Sequence, residues 1–193
     1  MLKVGIIGLG VISGIHIRAI RESGLAEIRA VCDINPDLRD QAPTEAKFYE
    51  DYKEMLDKED LDIVHLCLPH YLHPIVAKDA MAHGVHVFTE KPVSSHYKTA
   101  VEMCGCLQNR YNPSLHFLQE AIGQGLYGKL QGIEAHVFWD RPADYYANAP
   151  WRGKEKEAGS GVILNQAVHT LDFMTLLTPM LPSNVSATLR TLS

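Results

Sequence analysis

The 193-residue sequence predicts an α/β protein, in which a doubly wound parallel sheet is followed by an incomplete α+β domain with an open sheet. In the first half, short runs of β-branched residues alternate with helix-like stretches. These runs are almost continuously apolar, which is typical of strands that are buried on both faces. The regular alternation ends after residue 110. We therefore place the domains at 1–110 and 111–193.

The first half contains four predicted strands, at 2–8, 27–32, 62–68 and 85–89. Helix-like stretches lie at 11–22, 36–42, 51–58 and 73–83. Pro74 near the start of the last stretch and Gly84 just beyond it match the usual preferences of helix ends. Alternation of this kind implies parallel strands that are joined by right-handed crossovers.

The second half has a different pattern. Pro113 opens a predicted helix that ends at a group of glycines, and residues 130–139 form a predicted strand with apolar side chains on both faces. An irregular loop covers 140–160, a helix 160–177 and the start of a strand 183–190. Two strands and one helix are marginal alone. We therefore expect either that the natural protein continues beyond Ser193 or that oligomerisation covers the apolar sheet face.

The composition excludes several functional classes. The 18 Lys and Arg against 23 Asp and Glu give a net charge of −5, which argues against a general nucleic-acid binder. The apolar run at residues 4–15 is too short to span a membrane. Four cysteines lie in apolar contexts and include no recognisable metal motif, so we interpret them as reduced thiols of a cytoplasmic protein.

A glycine-rich turn follows the first strand and opens a helix. Gly8 and Gly10, with the small Ser13, make a G-x-G-x-x-S pattern, and Asp33 ends the second strand. Such a turn lets the backbone approach a pyrophosphate, and a carboxylate at the second strand binds ribose hydroxyls. The pattern predicts a Rossmann dinucleotide site that prefers NAD to NADP. The alternative is that the glycines are ordinary turn residues and Asp33 a surface cap.

Two further strand ends carry polar residues at the same predicted sheet edge, where parallel sheets bind ligands. His70 and His73 follow one strand, and they either contact the cofactor or serve as helix-capping or surface residues. Glu90 and Lys91 follow another strand. Lys91 can stabilise a developing alkoxide and Glu90 can accept a ribose hydroxyl, unless the two are simply a solvated pair.

A polar stripe interrupts the predicted apolar helix near the end of the chain. Asn165, His169 and Asp172 have the spacing i, i+4, i+7 and would share one helical face. Histidine is suited to proton exchange near neutral pH. The stripe favours a functional site over the alternative of a histidine satisfied within the core.

Together these segments resemble the glucose–fructose oxidoreductase / inositol dehydrogenase / MocA (Gfo/Idh/MocA) family of nicotinamide-dependent oxidoreductases. The matching segments are the glycine turn, LPHYLH (68–73), EKP (90–92), QNRYNP (108–113), YY…WRG (145–153) and the helix with His169 and Asp172. The resemblance implies hydride transfer between NAD(P) and a hydroxyl carbon of a sugar, polyol or sugar derivative.

The resemblance also implies roles for individual residues. Lys91 and His169 are the expected catalytic pair, and they contact the substrate together with Tyr146, Asn165 and Asp172. The expected cofactor contacts come from both halves of the chain: Gly8, Gly10, Val11, Ile12, Asp33, Leu68, Pro69, His70, His73, Glu90, Lys91, Asn109, Trp151, Arg152 and Gln166.

The sequence departs from the family pattern at two places. The second sheet has only begun when the chain stops, and the crossover before QNRYNP is so short that we expect a discontinuity near Met103–Cys104. The competing functions are a non-catalytic nucleotide-binding fragment or pseudoenzyme and a Rossmann methyltransferase, although the latter would have no need for EKP or Asp33. We expect a cytoplasmic homo-oligomer, dimeric or tetrameric, with no nucleic-acid or membrane partner.

Overall fold

The computed structural model describes residues 1–94, 107–159, 161, 163–178, 182–188 and 190. The chain divides into two compact units. The first unit contains Met1–Leu107 and Asp140–Asn165, and the second contains Gln108–Trp139 and Gln166–Ser193. The discontinuity expected near Met103–Cys104 lies outside the described residues. The domain limits expected along the sequence, 1–110 and 111–193, stay a prediction.

A five-stranded parallel sheet organises the first unit, as the sequence predicts. Its strands are β1 (Leu2–Ile7), β2 (Ala26–Cys32), β3 (Lys47–Tyr49), β4 (Ile63–Leu66) and β5 (His86–Thr89). Their order across the sheet is β3-β2-β1-β4-β5, and every neighbouring pair is parallel. The chain thus winds in opposite directions on the two sides of β1. Ligands of such sheets bind beyond the carboxyl ends of the strands at this switch point, here β1 and β4.

Helices cover both faces of the sheet because the central strands are apolar on both faces. These are α1 (Ser13–Ser23), α2 (Tyr52–Lys58) and α3 (His73–Ala82), with 3₁₀ turns at Pro36–Gln41 and His70–Leu72. Ile6 of β1 packs on one face with Ile20 of α1. The next residue, Ile7, packs on the other face with Met55 and Val76 of α2 and α3. The two cores fix the positions of the strand ends that carry the candidate site.

The described chain beyond residue 107 is helical or irregular. The helices are α4 (Pro113–Gly123), α5 (Ala143–Ala147), α6 (Glu155–Ala158) and α7 (Val168–Leu176), with 3₁₀ turns at Gln108–Tyr111 and Pro150–Gly153. Asn112 caps α4 through a hydrogen bond that its side chain accepts from Ser114 N. A π-helical stretch, Ile163–Ala167, precedes α7. None of the described helices could cross a membrane.

Three details of the sequence prediction are corrected. The strand expected at 130–139 is irregular, and no strand forms among the described residues of 183–190. A strand needs a hydrogen-bonding neighbour, and the described residues of the second unit contain none. The short edge strand β3 was not predicted, because three residues are too few to produce a recognisable pattern.

Candidate functional site

The glycine turn lies between β1 and α1, at the switch point of the sheet. Gly8 has φ +95°, and a Cβ placed there would lie 2.5 Å from the carbonyl oxygen of Cys67 in the segment after β4. Only glycine fits this position without strain. Gly10, by contrast, would meet no atom within 4 Å, so open space lies beside the backbone. The turn therefore leaves room for a phosphate group to approach the start of α1.

The Asp33 carboxylate lies against this turn. Its Oδ2 accepts a hydrogen bond of 2.7 Å from Leu9 N, and its Oδ1 accepts one of 2.9 Å from Asn35 N. Asp33 follows β2 directly, so the sheet and these two bonds fix its orientation. Each oxygen retains accepting capacity, which suits the two hydroxyls of a ribose. The turn and Asp33 together fit the adenosine and pyrophosphate portion of a dinucleotide.

The two histidines after β4 are buried and bonded to the backbone. His70 Nδ1 donates to Ala158 O at 2.8 Å, and its ring contacts the Trp151 ring edge-on, with centroids 4.7 Å apart. Burial lowers the pKa of His70 to about 4, so that its ring is neutral at pH 7. The ring nitrogens of His73 face Pro92 O at 2.7 Å and Leu68 O at 2.9 Å. His73 thus joins the loops after β4 and β5, which favours a bracing role over a cofactor contact.

Lys91 lies just beyond β5 and is half-buried. Its Nζ donates to Asn165 O at 2.7 Å and approaches Asn165 Oδ1 at 3.3 Å. Asn165 Nδ2 in turn donates to the hydroxyl of Tyr145 at 3.0 Å. Burial lowers the pKa of Lys91, the adjacent Glu90 carboxylate partly raises it, and Arg141 lowers it again, which leaves it below its ordinary value.

Two arginines flank the Tyr145 ring. The guanidinium carbons of Arg141 and Arg152 lie 4.5 and 4.2 Å from its centroid, within the range of a cation–π interaction. Arg152 Nη1 also donates to Tyr145 O at 3.1 Å. Tyr146 was predicted from the sequence as a site residue, whereas Tyr145 and Arg141 were not. The adjacent tyrosines lie in the short helix α5, in a stretch whose sequence has no periodicity, so no pattern distinguishes the one whose hydroxyl meets Asn165.

Glu90 is hydrogen-bonded to His16, a residue that was not predicted as part of the site. Its Oε1 accepts a hydrogen bond of 3.0 Å from His16 Nε2, and its Oε2 accepts one of 3.3 Å from Lys91 N. His16 Nδ1 lies 2.9 Å from His65 Nδ1. Within the described residues, no group of three or more His, Cys, Asp or Glu is arranged to hold a metal.

Four of the expected site residues belong to the second unit. His169 is half-buried on α7, and Gln166 is buried in the π-helical stretch. Asn109 is half-buried in the turn at Gln108–Tyr111. The Asp172 carboxylate, only 8% exposed, makes two bonds to Arg110, at 2.6 and 2.8 Å. Because Asn165 lies in a π-helical stretch, the constant 3.6-residue spacing assumed for the polar stripe does not apply there.

The remaining expected residues line loops of the first unit. Val11 is 90% exposed, and Ile12 is half-buried at the start of α1. Leu68 and Pro69 follow β4, and Tyr146 is 41% exposed on α5. The buried thiols of Cys32 and Cys67 are unpaired, and burial raises their pKa to about 12. The other two cysteines lie outside the described residues.

Family models match almost the whole chain. Residues 2–114 match the oxidoreductase family with an NAD-binding Rossmann fold, and residues 115–193 match the GFO/IDH/MocA C-terminal domain. The rhizopine catabolism protein MocA of Rhizobium meliloti is 29% identical over 196 residues, which cover 94% of this chain and 59% of that protein. Inositol 2-dehydrogenase of Salmonella agona is 35% identical over 99 residues, which cover 48% of this chain and 29% of that enzyme.

A solved structure gives the same relationship. The WlbA dehydrogenase of Bordetella pertussis, crystallised with NADH and UDP-GlcNAcA, superposes with a TM-score of 0.85 and 34% identity over 91% of this chain. This chain spans 57% of that protein and 59% of MocA, which is little more than half the length of each. By its two family-model matches, the chain belongs to the Gfo/Idh/MocA oxidoreductases, and its N-terminal part is an NAD-binding Rossmann domain.

Proposed function

We propose that this protein is an NAD-dependent dehydrogenase that acts on a hydroxyl group of a sugar, polyol or sugar derivative. The observation that carries the proposal is the position of Lys91: a half-buried ammonium just beyond β5, on the sheet that holds the glycine turn and Asp33. Family membership supports the reaction type, and the WlbA dehydrogenase crystallised with NADH and UDP-GlcNAcA supports a sugar derivative as substrate.

The residues of the chain divide the work between binding and proton handling. Gly8 and Gly10 admit the pyrophosphate, and Asp33 accepts the ribose hydroxyls. Trp151 and Arg152, with His70, provide the cofactor contacts near the strand ends. Bound NAD supplies the hydride acceptor. Lys91 donates to the substrate oxygen and stabilises the negative charge that develops on it.

The proton of the substrate hydroxyl needs an acceptor. Family resemblance assigns this role to His169, whose residue type suits proton transfer at neutral pH. Asn165 and Tyr145 orient the Lys91 ammonium through the chain of hydrogen bonds described above. Tyr146, Gln166 and Asn109 remain proposed contacts of substrate or cofactor. Asp172 would support the helix through its pair with Arg110.

We place the enzyme in the cytoplasm as a homo-oligomer. The buried, unpaired Cys32 and Cys67 support a reducing compartment. Large apolar side chains are exposed in the second unit, among them Phe138 at 91% and Leu126 at 65%, which supports contact with another copy. Light scattering coupled to gel filtration measures the oligomeric state, and a strictly monomeric protein would contradict this part of the proposal.

A two-stage experiment tests the proposed function. Nicotinamide fluorescence first measures NADH binding to the full chain, with S-adenosylmethionine as the control ligand. A panel of polyols, sugars and sugar acids is then assayed with NAD and NADP. Lys91→Gln should abolish turnover and keep NADH binding, whereas Lys78→Gln, at an exposed position of α3, should change neither. NADH binding without turnover of any substrate would instead favour a non-catalytic nucleotide-binding protein.

A further inference from the structure

A hydrogen-bonded chain of partly buried side chains connects the start of α1 to the segment that carries Lys91. His16 lies in the first turn of α1, His65 on β4, and Glu90 immediately after β5. The side chains of His16 and Glu90 are only 6% and 18% exposed. The His65 ring stacks on Phe88, with centroids 4.6 Å apart and planes 17° from parallel. Three separate elements therefore meet through this chain.

The hydrogen-bonding capacity of a carboxylate fixes the direction of the contact between His16 and Glu90. A carboxylate only accepts, so His16 Nε2 donates to Glu90 Oε1 at 3.0 Å. The other ring nitrogen of His16, Nδ1, lies 2.9 Å from His65 Nδ1, so one of the two rings donates to the other. Burial, with a smaller contribution from His16, lowers the pKa of His65 to about 4, so that His65 is neutral at pH 7. Both ring nitrogens of His16 therefore have partners.

The hydrogen-bonded chain of side chains ends at Lys91, the expected catalytic lysine. Glu90 Oε2 accepts a hydrogen bond from Lys91 N, and the Glu90 charge opposes the effect of burial on the Lys91 ammonium. Burial alone would raise the pKa of Glu90, but the hydrogen bond and charge of His16, with Lys91, outweigh it and leave that pKa lowered. A carboxylate that is only 18% exposed needs hydrogen-bond donors, and His16 supplies one to Glu90.

We propose that His16 is a positioning residue for the reaction: through its Nε2 donation it holds the Glu90 carboxylate in place, and Glu90 in turn fixes Lys91. This inference rests on the proposed function, because Lys91 is the group that would touch the substrate. His16 acts only through Glu90 and contacts no reacting atom. The contact between the Nδ1 atoms of His65 and His16 holds the His16 ring with its Nε2 towards Glu90.

A matched pair of substitutions separates the two bonds of His16. The amide nitrogen of Gln occupies nearly the position of histidine Nε2, and that of Asn the position of Nδ1. His16→Gln therefore preserves donation to Glu90, whereas His16→Asn preserves only the contact with His65. Ile20→Val, one turn further along α1 and in the apolar core, controls for a general loss of helix packing.

Steady-state kinetics should distinguish the pair. His16→Asn should lower kcat about tenfold or more with little change in the KM for NAD, since displaced catalytic groups cost rate. It should also move the acid limb of the kcat/KM profile upward by about one pH unit, because Glu90 loses the donor that keeps it ionised. His16→Gln and Ile20→Val should remain close to the original protein in both readouts. Equal kcat and equal acid limbs for His16→Asn and His16→Gln would overturn the inference.

A second readout does not require turnover. In the cofactor-free protein, trace acetylation with acetic anhydride followed by peptide mass spectrometry measures the reactivity of each lysine. His16→Asn should raise the rate at Lys91 severalfold and leave the rates at Lys53 and Lys78 unchanged, whereas His16→Gln should not. If no substrate is turned over, the proposed function fails while this assay still tests the positioning of Lys91. Identical Lys91 rates in the two variants would overturn the inference.

Discussion

Replacing Gly8 with alanine should destabilise the first unit, whereas replacing Gly10 should not. The new methyl group at position 8 would lie 2.5 Å from Cys67 O and 2.9 Å from Cys67 C, which are backbone atoms that cannot rotate away. The positive φ of 95° adds a conformational cost. The left-handed backbone and the overpacking together cost about 2–5 kcal/mol. For a protein of this size, that corresponds to a fall in the unfolding midpoint of at least about 4 °C.

Gly10 provides the matched comparison, because its added methyl group would meet nothing within 4 Å. Gly10→Ala should therefore keep the unfolding midpoint but weaken NADH binding, since the methyl group occupies space that the pyrophosphate requires. Thermal unfolding and nicotinamide fluorescence on the same samples measure both effects. An unchanged midpoint for Gly8→Ala, or unchanged NADH affinity for Gly10→Ala, would refute this account of the turn.

Three further predictions concern electrostatics. Asp33→Asn should reduce the preference for NAD over NADP by about tenfold or more, because the carboxylate no longer repels a 2′-phosphate; the dissociation constants of both cofactors at matched salt measure this, with the exposed Asp40→Asn as control. His65 has a pKa of about 4 in the folded protein and 6.5 in the unfolded chain, so stability that is present above pH 6.5 is lost as the pH falls towards 4, by about 3 kcal/mol. The urea midpoint of unfolding should therefore fall less steeply with pH in His65→Gln, and parallel slopes for the two proteins would contradict the lowered pKa. Arg110→Gln should cost about 1–2 kcal/mol in urea unfolding by leaving the Asp172 carboxylate without its partner, and adding Asp172→Asn should recover part of the loss; strict additivity would argue against the pair.

Local sequence patterns were sufficient to predict most of the first unit. Four of its five strands produce runs of β-branched residues. Gly8 follows the first of these runs directly and Asp33 follows the second, so both could be recognised along the sequence. Part of the demand for glycine at position 8 is local, because the backbone turns after β1 with a positive φ. The close approach of Cys67, in the segment after β4, is a contact that the local pattern does not show. Lys91 was predictable for the same reason, because it follows a strand directly and the carboxyl ends of parallel strands share an edge.

Other features depend on contacts between distant segments. His16, His65 and Glu90 come from a helix and the ends of two strands, and each is unremarkable in its own segment. Their meeting follows from the strand order, which places β4 between β1 and β5. The irregular conformation of 130–139 has the opposite origin: its apolar pattern favours a strand, but a strand forms only where another can pair with it. Composition and periodicity show neither which distant segments meet nor whether a strand has a neighbour to pair with.

Reduction of bound NAD in a single turnover tests the central claim most directly. The full chain is saturated with NAD and mixed with each sugar, polyol or sugar acid, and the absorbance of the reduced nicotinamide is followed in the original protein and in Lys91→Gln. The account predicts that the original protein forms NADH with at least one substrate, and that Lys91→Gln binds NAD equally well but forms none. Equal NADH formation by both proteins would contradict the role of Lys91, and bound NAD that no substrate reduces would contradict the proposed dehydrogenase.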